Sequence, residues 1–599
     1  MKLDFYGFYT GKVFDAYEWL GAHLEDDGVV FRTFAPNAAK IDLLLGSEVI
    51  PMNQICDGNF YEVFVPHAKA GDTYEYRIYR RDGFYTDHCD PYGFGMELRP
   101  NHKSIVRDLY GYHFLDHGWM AKRNDRKEEP LNIYELHLGS WRKRTEETTG
   151  WYRYDELAEL LIPYLKESGY NYVEFMPLSE HPCDESWGYQ NTGFYAPTSR
   201  YGTMDELKKM IDLFHKNQIG VILDFVPVHF AVDSYGLARY DGTALFEYPH
   251  QDVGVSEWGS HNFMHSRGET RSFLQSNANY WMKEYHFDGL RMDAISRIIY
   301  WQGDEKRGVN GNAVDFIKVM NRELKYLNPG CILAAEDSTN YPNVTKIVDE
   351  GGLGFDYKWD MGWMHDTLEY FQSAPKERTA KYHKLTFSMM YFGNENYLLP
   401  FSHDEVVHGK ATILQKMNGQ YEDKFPQAKA MYLYMMVHPG KKLNFMGNEI
   451  GQLREWDEKR QQDWELRKYP THDSFYQFMK ELNHIYLTHP ALSEWDYQAD
   501  GFRWLDCHQE SRCIYTVIRQ GKKEKLTAIF NFSDQVQENY EIEMKNTESI
   551  EILLYSDWEQ FGGSTKACEE GILLEDGKLS CTMAPFSGIL IKLIENEKM

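Results

Sequence analysis

A chain of 599 residues is too long for one hydrophobic core, and two to four domains are expected. Its 91 acidic and 64 basic residues give a formal charge of −27, which repels nucleic acid and anionic lipid and argues against both as partners. No apolar run reaches the roughly 18 residues of a membrane span, and eight cysteines without a CxxC pair read as buried reduced thiols of a cytoplasmic protein.

Residues 1–112 carry short β-like runs such as GVVFRTFAP and NFYEVFVP, broken by Gly, Pro, Asn and Asp. They predict a small β-sandwich. Over 113–490 the pattern changes to apolar strands alternating with amphipathic helices, the signature of a parallel sheet with helical crossovers. Candidate strands lie at 133–139, 172–178, 220–227, 289–293, 331–337, 354–361, 396–401 and 442–449. The helix in YDELAELLIPYLKESGY is predicted to bury Leu157, Leu160, Leu161, Tyr164 and Leu165 on one face. Eight strands with intervening helices predict an α/β fold, a TIM-type (β/α)8 barrel. The segment 228–271 is too long for a simple connection and is expected to be functional. Residues 491–599 return to short strands (CIYTVIRQ, KLTAIFNFS, GILIKLI) and predict a second β-sandwich.

In such a barrel, chemistry sits at the C-terminal ends of the strands. Four candidate strands carry an acid there: Asp224, with His229 close behind in DFVPVH, then Asp293, Glu336 and Asp404. Like charges gathered at one mouth destabilise a fold, so four of them ask for a purpose. Arg291 and Asp293 are two apart on a strand and point to the same side. There Arg291 would keep Asp293 ionised, as a nucleophile requires. Glu336 leaves the apolar run ILAA, a setting expected to favour the protonated form of a general acid. One charged and one neutral carboxyl are the parts of a retaining glycosidase mechanism, and Asp404 would stabilise positive charge at the anomeric carbon. The stretch HDEVVH first suggests a metal site. Its histidines, His403 and His408, are five apart, whereas the metalloprotease pattern needs four. No metal and no cofactor are expected.

The segments DFVPVHF, DGLRMDAI, LAAEDST and LPFSHDEVVHGK resemble the four conserved regions of the α-amylase superfamily. YELHLGSW, EHPCDESWGYQNTGFYAPTSRYGT, GLARYDGTALFEYP, GGLGFDYKWDMGWMHDTL and HPGKKLNFMGNEIGQLREW narrow the resemblance to the glycogen branching enzymes, over about residues 110–470. The resemblance implies an N-terminal carbohydrate-module-like β-sandwich, a catalytic barrel and a C-terminal β-sandwich. It makes Asp293 the nucleophile, Glu336 the general acid/base and Asp404 the transition-state stabiliser. Tyr189, Asp224, His229, Arg291 and His403 match positions lining the donor sugar subsite, while Glu405 and His408 are expected to brace their loop.

The implied substrate is an α-glucan polysaccharide, amylose or glycogen, handled by a monomer. The implied reaction cleaves an α-1,4 link and passes the chain to a 6-hydroxyl. An amylase, debranching or trehalose-forming hydrolase shares all three carboxylates, and only the acceptor differs. To outcompete water, a transferase must hold its acceptor in place. The 228–271 segment and the aromatic run around Trp359 and Trp363 are expected to form the walls that do so. One departure stands out. No Trp lies between Trp19 and Trp119, so the Asn-Gly-Trp turn common in the N-terminal module of such enzymes is missing, and that module is expected to serve as a support.

Overall fold

The computed structural model describes residues 3–123, 127–147, 149–567 and 571–595. All eight expected barrel strands form. Asn132–Leu136, Tyr172–Phe175, Gly220–Phe225, Gly289–Met292, Ile332–Ala335, Tyr357–Trp359, Tyr397–Phe401 and Lys441–Phe445 close into a barrel in chain order. Each is shorter than its predicted run. The parallel register sets Asp224 beside Arg291 and Arg291 beside Ala334. Gly289 is required in its strand, since a Cβ there would lie 2.3 Å from the Ile332 carbonyl oxygen.

The chain divides into two compact units. The first comprises Met1–Asn124, His137–Leu161 and Glu174–Asp356. Its N-terminal strands make two antiparallel sheets. One runs Gly21–Glu25, Gly28–Phe34, Phe60–Val65, Asn53–Ile55, and the other Glu48–Pro51, Lys40–Leu45, Thr73–Tyr79, Tyr85–His88. A short helix not evident from the sequence pattern, Phe5–Thr10, precedes them, capped by Asp4 and closed by Gly11 at φ 68°. Its Phe8 packs edge-on against Phe34 at 5.1 Å.

This sandwich braces the long 228–271 segment. Thr33 Oγ1 bonds the Tyr240 hydroxyl (2.7 Å), the Asn37 backbone N–H donates to Asp241 (3.0 Å), and His88 Nδ1 lies 2.8 Å from the Gly236 carbonyl. The segment itself is not structureless. His229–Phe230 and His261–Asn262 pair as antiparallel strands.

The second unit comprises Asp125–Leu136, Ile162–Val173 and Tyr357–Met599. Its C-terminal strands form a five-stranded and a three-stranded antiparallel sheet around a core that includes Ile514, Ile529, Leu579 and Ile589. Two buried cations tie these sheets to barrel helices. Arg378 donates to the Phe532 and Phe371 carbonyls (2.8 and 3.0 Å), and Lys429 Nζ to those of Ser556 and Phe561 (2.7 and 2.9 Å).

Three expectations fail here. In the helix Tyr154–Ser168, Leu157, Leu161, Tyr164 and Leu165 are buried but Leu160 is 39% exposed. Leu160 precedes Leu157 by about 60° on the helical wheel and falls off the edge of the stripe. Trp359 and Trp363 are buried, with Trp363 against Phe401 at 5.3 Å, so they are core and not walls. The cysteines are not uniformly buried either: Cys56 and Cys183 are exposed, and Cys568 lies outside the described residues. Among the described residues no helix is long and apolar enough to cross a membrane.

Candidate active site

The third, fourth and fifth barrel strands supply one network. The strand interiors are apolar and buried, which leaves their polar groups to converge at the C-terminal ends. Arg291 Nη1 donates to both oxygens of Asp224 (2.8 and 2.7 Å) and to Asp293 Oδ1 (2.7 Å), while Nη2 lies 3.8 Å from Glu336 Oε2. The guanidinium is fully buried. Burial alone would lower its pKa, but Asp224 above all, with Tyr189, Asp293 and Glu336, holds it well above its ordinary value. Tyr189 joins from its own loop, its hydroxyl donating to Asp224 Oδ2 at 2.5 Å. That loop is anchored at Asp184, which accepts from Arg99 Nε (2.8 Å) and Arg200 Nε (2.9 Å).

Glu336 departs from expectation. It follows an apolar strand, yet its carboxylate accepts the Ala294 backbone N–H at 2.6 Å and is near a guanidinium. Both contacts favour the charged form. Ala294 has φ 46°, a left-handed conformation uncommon for a residue with a side chain. That turn, directly after Asp293, brings its N–H to Glu336, so a strained backbone conformation stands between the two candidate acids.

His229 is buried, and its Nδ1 has no hydrogen-bond partner among the described residues. Burial pushes its pKa down to about 4, so the ring is neutral near pH 7. The half-exposed Trp258 lies 5.2 Å away.

The first and seventh strands, in the second unit, supply another pair. His403 donates its backbone N–H to Glu135 Oε2 (2.9 Å), and its Nδ1 is 2.5 Å from Glu135 Oε1. Its Nε2 lies 3.5 Å from Asp404 Oδ1, and the Asp404 side chain is 46% exposed. Glu135 is the residue that sequence reasoning missed. The signal was there, an acid in the middle of an otherwise apolar strand, NIYEL, buried throughout.

Glu405 is buried, 3.4 Å from Lys410. The backbone N–H groups of Gly409 and Ala411 donate to Glu455 (2.9 and 2.7 Å), which fastens the loop around His408. Among the described residues no group of three His, Cys, Asp or Glu side chains is placed to hold a metal ion.

Comparison with known proteins agrees with this architecture. Residues 4–92 match the family model of the alpha-1,4-glucan branching enzyme GlgB N-terminal domain, 157–240 the alpha amylase catalytic domain, and 504–594 the alpha amylase C-terminal all-beta domain. Pullulanases from Bacillus acidopullulyticus (TM-score 0.72, 17% identity, 96% of this chain and 74% of that one) and Paenibacillus barengoltzii (0.73, 15%, 96% and 95%) share the fold. The 1,4-alpha-glucan branching enzyme GlgB of Bacillus cereus strain AH187 is 40% identical over 99% of this chain and 95% of its own length. That of Geobacillus stearothermophilus is 42% identical over 94% and 90%. Identity of this extent shows the family: the chain belongs to the 1,4-alpha-glucan branching enzymes of the alpha-amylase superfamily.

Proposed function

We propose that Asp293, Glu336 and Asp404 carry out a retaining double displacement on an α-glucan such as amylose or glycogen. One observation carries the reading: a single buried guanidinium, Arg291, bonds Asp224 and Asp293 and lies beside Glu336. In the first step Asp293 attacks the anomeric carbon as Glu336 gives its proton to the departing 4-oxygen, leaving a glycosyl ester on Asp293. In the second, the ionised Glu336 takes the proton of an acceptor 6-hydroxyl, whose oxygen displaces Asp293 and forms the α-1,6 link.

Arg291 keeps Asp293 anionic before the first step and after the second, and Asp404 offers negative charge to the oxocarbenium-like transition state. Tyr189, Asp224, His229 and His403 hold the donor ring, His229 as a neutral imidazole. The domain limits 1–112, 113–490 and 491–599 and a monomeric state belong to the same proposal. The limits are supported by the last N-terminal strand ending at Ile105, the first barrel strand starting at Asn132 and the C-terminal strands starting at Phe502.

The test uses amylose. Asp293→Asn and Glu336→Gln are expected to lose at least about a thousandfold of the activity while still folding, with a single cooperative melting transition. A folded variant retaining a tenth of it would end that residue's role. With the wild-type protein, iodine staining should weaken and α-1,6 signals should appear by proton NMR while reducing ends barely rise. If reducing ends climb in step with the loss of stain, hydrolysis is the reaction.

A further inference from the structure

Trp258 stands at the tip of an excursion that leaves His229 and returns beside it, since His229 pairs with Asn262. A tryptophan there that served only the core would be buried, yet this one is 45% exposed. Its position is nevertheless fixed from several sides. Its N–H donates to Ser256 Oγ (3.2 Å), the Ser256 and Ser260 hydroxyls bond each other (2.6 Å), and its carbonyl accepts from Gln190 Nε2 (3.4 Å). Gln190 is the neighbour of Tyr189 in the chain.

A second set of bonds ties the tip to the element that follows Asp293. Gln302 Nε2 donates to the Asp252 and Val255 carbonyls (2.9 and 2.8 Å), and Asn262 Nδ2 donates to Gln302 Oε1 (3.2 Å). Arg297, bound to Glu257 and to the Gln302 carbonyl, places its guanidinium over the indole at 5.3 Å. The indole is thus fixed beside this cation and the His229 ring and stays 45% exposed. A rigid, half-exposed aromatic plane suits the C–H face of a pyranose, an apolar body with polar edges. Immobilising it in advance lowers the entropy lost on binding.

We infer that Trp258 is a substrate-binding residue of this reaction. It stacks on the glucose unit adjacent to the ring held at His229 and so selects for a glucan chain over a single sugar. The inference rests on the site reading given above. It adds a determinant of affinity to a set of residues otherwise made of acids, histidines, one arginine and one tyrosine.

The test compares Trp258→Tyr, which keeps a ring, with Trp258→Leu, which keeps apolar bulk without one. Branching of amylose gives KM and kcat, and calorimetric titration of maltoheptaose into each variant on the inactive Asp293→Asn background gives Kd. Trp258→Leu is expected to raise KM and Kd about tenfold with kcat within about threefold of wild type, and Trp258→Tyr to restore most of the loss. Equal constants for wild type and Trp258→Leu would overturn the inference. So would a fall in kcat in both variants that tracked a fall in melting temperature, since that marks a purely structural role. If Asp293→Asn itself stayed active, the reading of the acids would fail instead, whatever the Trp258 variants did.

Discussion

The two units hold their candidate carboxylates in opposite ways. In the first, Asp224 and Asp293 bond one buried guanidinium that Glu336 also approaches, and each strand end is locked by charge-assisted hydrogen bonds. In the second, Asp404 is 46% exposed, and its partner His403 is steadied from behind by Glu135. The contrast follows the work proposed for each carboxylate. A nucleophile and a proton donor must meet their targets within a few tenths of an ångström, and hydrogen bonds from a buried guanidinium to Asp293 and from a backbone N–H to Glu336 supply that precision. A group that acts through its charge on a developing cation tolerates looser placement.

Removing the shared cation should give the largest effect. Arg291→Ala leaves buried carboxylates uncompensated, and a cost of about 3–5 kcal/mol is expected, together with complete loss of branching. Denaturant unfolding measures it, and a variant as stable as wild type would mean that the network is not held by charge.

Alkaline pH should separate the units next. In the first, His215 is bonded to Asp116 (2.7 Å) and Asp288 (3.0 Å) through its two ring nitrogens. Burial alone would lower its pKa, but Asp288 and Asp116 raise it to about 9. The folded state therefore keeps a proton that the unfolded chain loses near pH 6.5. The resulting stability, on the order of 3 kcal/mol, is fully present below pH 6.5 and lost as pH rises through 9.

In the second unit the sign reverses. Burial pushes the pKa of Lys429 down to about 8, below that of the unfolded chain, so stability rises with pH between 8 and 10.5. Hydrogen exchange, corrected for its intrinsic pH dependence, should show the helix Met204–Lys216 losing protection above pH 8 while Tyr421–Val437 does not. Equal loss in both helices would erase this difference.

Glu135→Gln sharpens the comparison within the second unit. The swap is nearly isosteric but removes the charge facing His403, so kcat should fall about 10- to 100-fold with KM little changed. A proportional rise in KM with kcat intact would instead make Glu135 a determinant of binding. The smallest effect is on stability at Asp404. Because the side chain is half exposed, Asp404→Asn should shift unfolding by no more than about 0.5 kcal/mol even as activity is lost. A larger shift would show Asp404 to be structurally committed like its counterparts in the first unit.

Much of this protein was legible along the chain. The eight barrel strands are mostly apolar because a parallel sheet covered on both faces needs them so, and each was found within a few residues of its true ends. Arg291 and Asp293 were paired correctly from their spacing alone, since side chains two apart on a strand share a side. What failed depended on neighbours distant in sequence. Leu160 fits a helical period, but only packing decides where the buried stripe ends. Trp359 and Trp363 looked like walls because aromatic residues suit both sugar and core, and their burial makes them core.

Sequence by itself determined the order of elements, the family and which acids stand at strand ends, because these follow from local periodicity and short motifs. Tertiary structure alone decided that Glu336 sits beside a cation and a strained N–H, that Glu135 backs His403, and that Trp258 is held next to His229. Each of these joins residues between 29 and 268 positions apart, and no pattern confined to one segment encodes such a meeting.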